Sequence, residues 1–247
     1  MGIHSVDKST RIGSLGKSEL GLGVGGSGSS GGRGSPGGDT NVAAWWKMDE
    51  ASGDIVDEIT SITLANTDAP TYGVSIGAPF AAFSPGITIT TAGDTFKLVD
   101  TPAGLSIGTN DFTVEWLEKS VAVGARGVFD TSNDGAGGGM EIYWGSGTVL
   151  NIDCYQAAGN SFLSAWTVSS VLDGAIRAFR ATFDRSGNSE LFINNVSQGT
   201  VDISAGVAKT VGVTRVVMGG VGTGVVPLKG TISNWRLSLN LTNNLFY

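Results

Sequence analysis

Between Arg177 and Val201 apolar and polar residues alternate in a way that sets the pattern for most of the chain. Phe179, Ala181 and Phe183 alternate with Ala178, Arg180, Thr182 and Asp184, so one face of an extended segment is apolar. Residues 184–189 supply turn chemistry, and Glu190-Leu191-Phe192-Ile193 then resumes the period with Leu191 and Ile193 on one face. Asn194-Asn195 reads as a second turn, because asparagine tolerates positive φ better than other non-glycine residues.

The same period recurs from residue 41 onward. Residues 43–48 put Trp46 and Met48 on one face and Trp45 on the other. Short extended runs follow at 55–60, 61–64, 80–83 and 87–90, and residues 111–116 turn Phe112, Val114 and Trp116 inward. Runs at 127–130 and 140–144 flank a glycine-rich loop, and further strands are predicted at 149–155, 162–168, 215–219 and 230–239. About a dozen short strands separated by turn residues, with no helical period, predict an all-β sandwich or barrel. A parallel sheet would need crossover helices, and the pattern offers none.

Composition divides the chain. Glycine is 39 of 247 residues, and thirteen of those glycines, with eight serines and no Trp, Phe or Tyr, fall in residues 1–38. Such a segment buries too little apolar surface to offset its ordering entropy. Residues 1–40 are therefore expected to be an irregular, extended arm and residues 41–247 a folded domain. Charge follows the same division: the net −7 resolves into +2 over residues 1–38 and −9 beyond. An acidic body lacks the basic footprint that nucleic acid requires. Lys8, Arg11, Lys17 and Arg33 give the arm its positive charge and are its candidate anchoring residues on an acidic protein surface. No apolar run is long enough to span a bilayer and no signal-peptide core is present, so the expected setting is assembly in a cytosol without a membrane partner. Cys154 is the single cysteine and alternates with Leu150 and Ile152, the place of a small buried hydrophobe.

Six stretches together resemble one family. Trp46-Lys47-Met48-Asp49-Glu50-Ala51-Ser52-Gly53, residues 111–116, residues 177–184, residues 187–195, Val217-Met218-Gly219-Gly220 and residues 228–237 are similar, in that order, to segments of laminin-G-like, concanavalin A-like jelly-roll domains. The resemblance covers residues 41–247 and implies a jelly-roll β-sandwich whose first and last strands are neighbours. Asn194-Asn195 and Ser233-Asn234 depart from the family pattern, and the missing acids weaken any metal site carried over from it. Such domains also occur behind short anchors in bacteriophage capsid-decoration, head-fibre and tail proteins. The resemblance thus implies a virion protein that binds other virion proteins through residues 1–38, displays its sandwich toward host-surface glycans and forms a homo-oligomer to cover its sheet edges.

The candidate chemistry is sparse. Glucanases on this sandwich use carboxylates at period-2 spacing along one strand, whereas Glu115 and Glu118 fall on opposite faces. His4 is the single histidine and lies in the arm, so neither a Ser-His-Asp relay nor a zinc set is expected. The chain is accordingly read as non-enzymatic. Asp130, Ser132, Asp134 and Glu141, with Gly135, match the spacing of a calcium loop, which makes calcium the one cofactor to weigh. Their flanks read as strands rather than helices, so a hairpin loop of turn-forming residues is the favoured reading. Parity also sends Glu141 and Tyr143 outward from one strand and Asn151, Asp153 and Tyr155 outward from the next, a polar-aromatic strip suited to a sugar or simply to water. Trp45 reads either as a ligand platform or as packing beneath the arm.

Overall fold

The structure is a computed structural model that describes residues 41–247 except 68, 84, 92–93, 99–101, 103–104, 122–123, 133–136, 146, 158–159, 169–170, 223–225, 242–245 and 247. The arm, with Lys8, Arg11, Lys17 and Arg33, lies outside the described residues, as does Asp134.

The strands are β1 (Val42–Trp46), β2 (Ile55–Val56), β3 (Thr63–Asn66), β4 (Thr71–Val74), β5 (Gly86–Ile89) and β6 (Phe96–Leu98). They continue as β7 (Phe112–Ser120), β8 (Arg126–Asp130), β9 (Gly137–Trp144), β10 (Val149–Ala157), β11 (Asn160–Thr167) and β12 (Ile176–Phe183). The last are β13 (Asn188–Ile193), β14 (Val196–Asp202), β15 (Val216–Met218), β16 (Gly220–Val221), β17 (Val226–Pro227) and β18 (Gly230–Ser238). One sheet runs β14-β13-β12-β7-β18-β5-β4 with β1 also on β18, and the other runs β11-β10-β9-β8-β15-β6-β3-β2. The architecture is an all-β jelly-roll sandwich with β1 beside β18.

Alternation decides what lies between the sheets. Phe112, Val114 and Trp116 of β7, Phe179, Ala181 and Phe183 of β12, and Met140, Ile142 and Trp144 of β9 all face inward and are buried. Phe112 stacks on Phe183 at 4.3 Å, Trp116 on Phe179 at 5.0 Å and Phe129 on Trp235 at 3.8 Å between ring centroids. Asn194 and Asn195 do turn the β13–β14 hairpin, at φ 50° and 62°. Asn234, at φ 50°, shifts the register of β18, so that its first half pairs with β5 and its second with β1.

Two expected strands are corrected. Residues 80–83 form a 3-10 turn at Ala81–Phe83 instead of a strand. Pro79 and Pro85 beside it have no N–H to donate to a ladder, and Phe80 packs across β7 against Leu117 and Ala178. The run at 55–60 ends after Val56, where Asp57 folds a turn that receives the Ile62 carbonyl on its N–H at 2.9 Å. Phe246 closes edge-on against Phe80 and Phe83 at 6.1 and 5.1 Å between centroids, covering this part of the first sheet's outer face.

Candidate functional site

The outer face of the second sheet carries the polar-aromatic strip. Cross-strand register places Glu141 opposite Asp153, Tyr143 opposite Asn151, and Gly139 opposite Tyr155 on β9 and β10. Glu141, Tyr143, Asn151, Asp153 and Tyr155 are all half-buried, while their inward neighbours Ile142, Ile152 and Cys154 are fully buried. Period-2 alternation on two paired strands is sufficient to create this separation.

Within the strip the side chains are joined. Tyr143 donates its hydroxyl to Asp153 Oδ2 at 3.0 Å, and the Tyr155 hydroxyl lies 3.0 Å from that same oxygen and 3.3 Å from Glu141 Oε2. Ser132 donates its hydroxyl to Glu141 Oε1 at 2.6 Å. Asn151 takes a separate role, with Nδ2 turned toward the Val149 carbonyl at 3.5 Å. Burial is the largest cause pushing the Asp153 carboxyl upward, opposed by the Tyr155 and Tyr143 hydroxyls. Tyr143 is pushed up to about 12 by burial and then by the charge of Asp153. Tyr155 moves the same way for the same reasons, so both phenols stay protonated donors at neutral pH.

Backbone walls bound this strip on the β8 side. A Cβ added at Gly127, opposite Tyr143, would lie 2.3 Å from Val221 N and 2.6 Å from Val226 O. The β16–β17 hairpin therefore rests directly on the sheet there. A Cβ on Gly139, opposite Tyr155, would lie 2.6 Å from Ser132 Cα, so residues 131–132 close over the sheet at that end. On the other side Leu163 of β11, opposite Asp153, is 49% exposed and offers apolar surface beside the carboxylates.

The calcium spacing resolves differently. Asp130 stands opposite Glu141 and Ser132 bonds to Glu141, so these three converge. The cation held by Asp130 is the Arg215 guanidinium, whose Nη2 is 2.6 Å from Oδ2. The amides of Gly222 and Ser132 bond the same carboxylate at 2.9 and 2.6 Å. Burial raises its carboxyl to about 6 despite the pull of Arg215. The flanks are strands β8 and β9, which excludes a helix-loop-helix site. Among the described residues no three His, Cys, Asp or Glu side chains are arranged to hold a metal ion. Sequence spacing could not reveal Arg215, because its contact with Asp130 spans 85 positions.

Other candidate positions are closed. Trp45 is 5% exposed and lies under the Lys47 ammonium at 4.8 Å, with Lys47 held by Glu58 at 3.1 Å, so its ring is packed rather than presented. Glu115 and Glu118 do face opposite ways: Glu115 pairs with Arg236 on the outside of β7, and Glu118 points into the core. There Glu118 accepts Trp116 Nε1 and Trp144 Nε1, each at 2.9 Å, together with the Ser120 hydroxyl. Burial pushes the Glu118 carboxyl upward against these donors and the nearby Arg126. Cys154 is fully buried, and burial raises its thiol.

No family model and no curated protein matches the chain in sequence. Its fold is nevertheless similar to solved structures. The receptor binding domain of botulinum neurotoxin D matches at 9% identity and TM-score 0.62, covering 82% of this chain and 50% of that one. The binding domain of Paraclostridial Mosquitocidal Protein 1 matches at 10% identity and TM-score 0.63, with the same two coverages. A botulinum neurotoxin serotype D ligand binding domain in complex with N-acetylneuraminic acid matches at 10% identity and TM-score 0.59, covering 82% and 48%. The chain thus spans about half the length of these structures, and the likeness bears on the fold, a β-sandwich.

Proposed function

We propose that this chain is a non-enzymatic adhesion protein of a bacteriophage virion, a capsid decoration, head fibre or tail appendage. In this reading residues 41–247 hold a host-surface glycan on the outer face of β9 and β10, and residues 1–38 seat the domain on other virion proteins. One observation carries the glycan part: Tyr143 and Tyr155 stand over Asp153 and Glu141 on a half-buried sheet face bounded by backbone walls. Phenol rings beside fixed hydrogen-bonding groups are the surface that sugars use, apolar ring faces against C–H and polar tips against hydroxyls. Similarity to receptor-binding domains, one of them solved with N-acetylneuraminic acid, supports the same class. The pairing of Glu115 with Arg236 and the enclosure of Glu118 support a binding rather than a hydrolytic role.

The virion part rests on the Gly/Ser-rich composition and positive charge of residues 1–38 ahead of an acidic domain, and on the family resemblance. A glycan array probed with the full chain tests the first part: binding is expected, with loss in Tyr143→Ala and Tyr155→Ala. Removing residues 1–38 tests the second, since the shortened protein should fold and fail to join particles. Normal incorporation would leave a free carbohydrate-binding module as the reading.

A further inference from the structure

Resting on the glycan reading of this face, we infer that the strip on β9 and β10 selects hydrogen-bond-donating saccharides without anionic groups, neutral or amine-bearing, and rejects carboxylated and sulfated sugars. The reason is an imbalance of hydrogens. Glu141 and Asp153 present up to about eight acceptor sites when ionised. The strip supplies the hydroxyl protons of Ser132, Tyr143 and Tyr155. Tyr155 has one proton for two carboxylates, at 3.3 Å from Glu141 and 3.0 Å from Asp153. Asp153 Oδ1 is itself buried, so the imbalance on offer to a ligand is at Asp153 Oδ2 and Glu141. A ligand seated here must bring hydrogens, as sugar hydroxyls and ammonium groups do and carboxylates do not.

Charge points the same way. Asp153, Glu141 and Asp130 form one cross-strand row over β10, β9 and β8. Arg215 pairs with Asp130, and neither Glu141 nor Asp153 has a Lys or Arg partner among the described residues. Following that row, the next cation on the sheet is Lys97 of β6, beyond Val217 of β15, about 14 Å from Glu141 at ordinary strand spacing. An anionic sugar over the tyrosines would face uncompensated like charge at short range, the arrangement by which proteins discriminate against unwanted partners.

The test uses the full chain on a panel of matched sugars, including lactose against sialyllactose and chitosan oligomers against their N-acetylated forms. Binding is expected for neutral and amine-bearing members, with the sialylated partner weaker by at least about tenfold. The Glu141→Gln/Asp153→Asn variant should narrow the lactose–sialyllactose gap and remove any preference for the amine. Tyr143→Phe and Tyr155→Phe locate the ligand without emptying the site, should either alanine variant fail to fold. A carboxylated sugar bound more tightly than its neutral partner, and weakened by these tyrosine changes, would overturn the selectivity while leaving the glycan reading intact. No binding by any class, or binding indifferent to both tyrosines, would overturn the glycan reading and this inference with it.

Discussion

The molecule holds two groups of carboxylates served by aromatic donors, and they differ in what is left over. Inside, Glu118 receives two indole N–H groups and the Ser120 hydroxyl, with Arg126 stacked on Trp144 at 4.8 Å. Outside, Asp153 and Glu141 share the hydroxyl protons of two phenols and one serine between two carboxylates. A polar group in the core is tolerable when its bonds are made there. A half-buried face with acceptors to spare has bonds to offer a visitor. The interior group is thus part of the fold, and the exterior one is the proposed ligand face.

The largest effect should come from breaking the closed group. Glu118→Ala leaves two indoles and a hydroxyl without their acceptor and removes the charge that faces Arg126, a loss of about 3–5 kcal/mol. Thermal unfolding should register it as a drop of roughly 10 °C, with glycan affinity of the still-folded protein unchanged. A variant that melts normally would show that Glu118 does not organise the core.

Acid–base linkage sharpens the contrast at the border between the two groups. The Asp130 carboxyl rises from an ordinary 3.8 to about 6 on folding. The native state therefore holds its proton more tightly. This contribution is fully present below about pH 4 and is lost as pH rises through about 6, at most about 2–3 kcal/mol. Denaturant unfolding between pH 4 and 7 should show that decline, and Asp130→Asn should flatten it. An unchanged slope would assign the decline to Glu118, which burial pushes in the same direction.

The open group should respond in binding and hardly in stability. Tyr143→Phe and Tyr155→Phe are each expected to weaken a neutral glycan about tenfold in calorimetry while unfolding within about 1 kcal/mol of the parent. Because both hydroxyls meet Asp153 Oδ2, the double variant should lose less than the two losses combined. The smallest effect is expected at Arg180, stacked over Phe192 at 4.1 Å on the other sheet's outer face. Arg180→Ala should cost under about 1 kcal/mol and leave glycan binding untouched.

Parity along a strand was legible in the sequence and pairing between distant strands was not. Met140, Ile142 and Trp144 read as inward and Glu141 and Tyr143 as outward because alternation is a local property, and the β9–β10 hairpin followed from adjacency. The seating of β15 on β8 and of β18 on β7 depends on residues far apart in the chain, and no local pattern encodes it. That is why the calcium-loop spacing at Asp130 is visible in the sequence while its pairing with Arg215 is not. Short strands such as β4, β6 and β16 also escape detection, and β14 is exposed along nearly its whole length with no apolar face to mark it. Gly127 and Gly139 carry the walls of the site, yet as residues they are indistinguishable from the other glycines.

The most direct test of an open face over a sealed core is an NMR titration of the isotope-labelled full chain with the tightest neutral sugar. Amide shifts are expected at residues 141–143, 151–155 and 163, with the indole N–H signals of Trp116 and Trp144 unmoved. Shifts gathered around Phe80 and Arg180 on the opposite sheet, or movement of those two indole signals without change at Tyr143 and Tyr155, would contradict it.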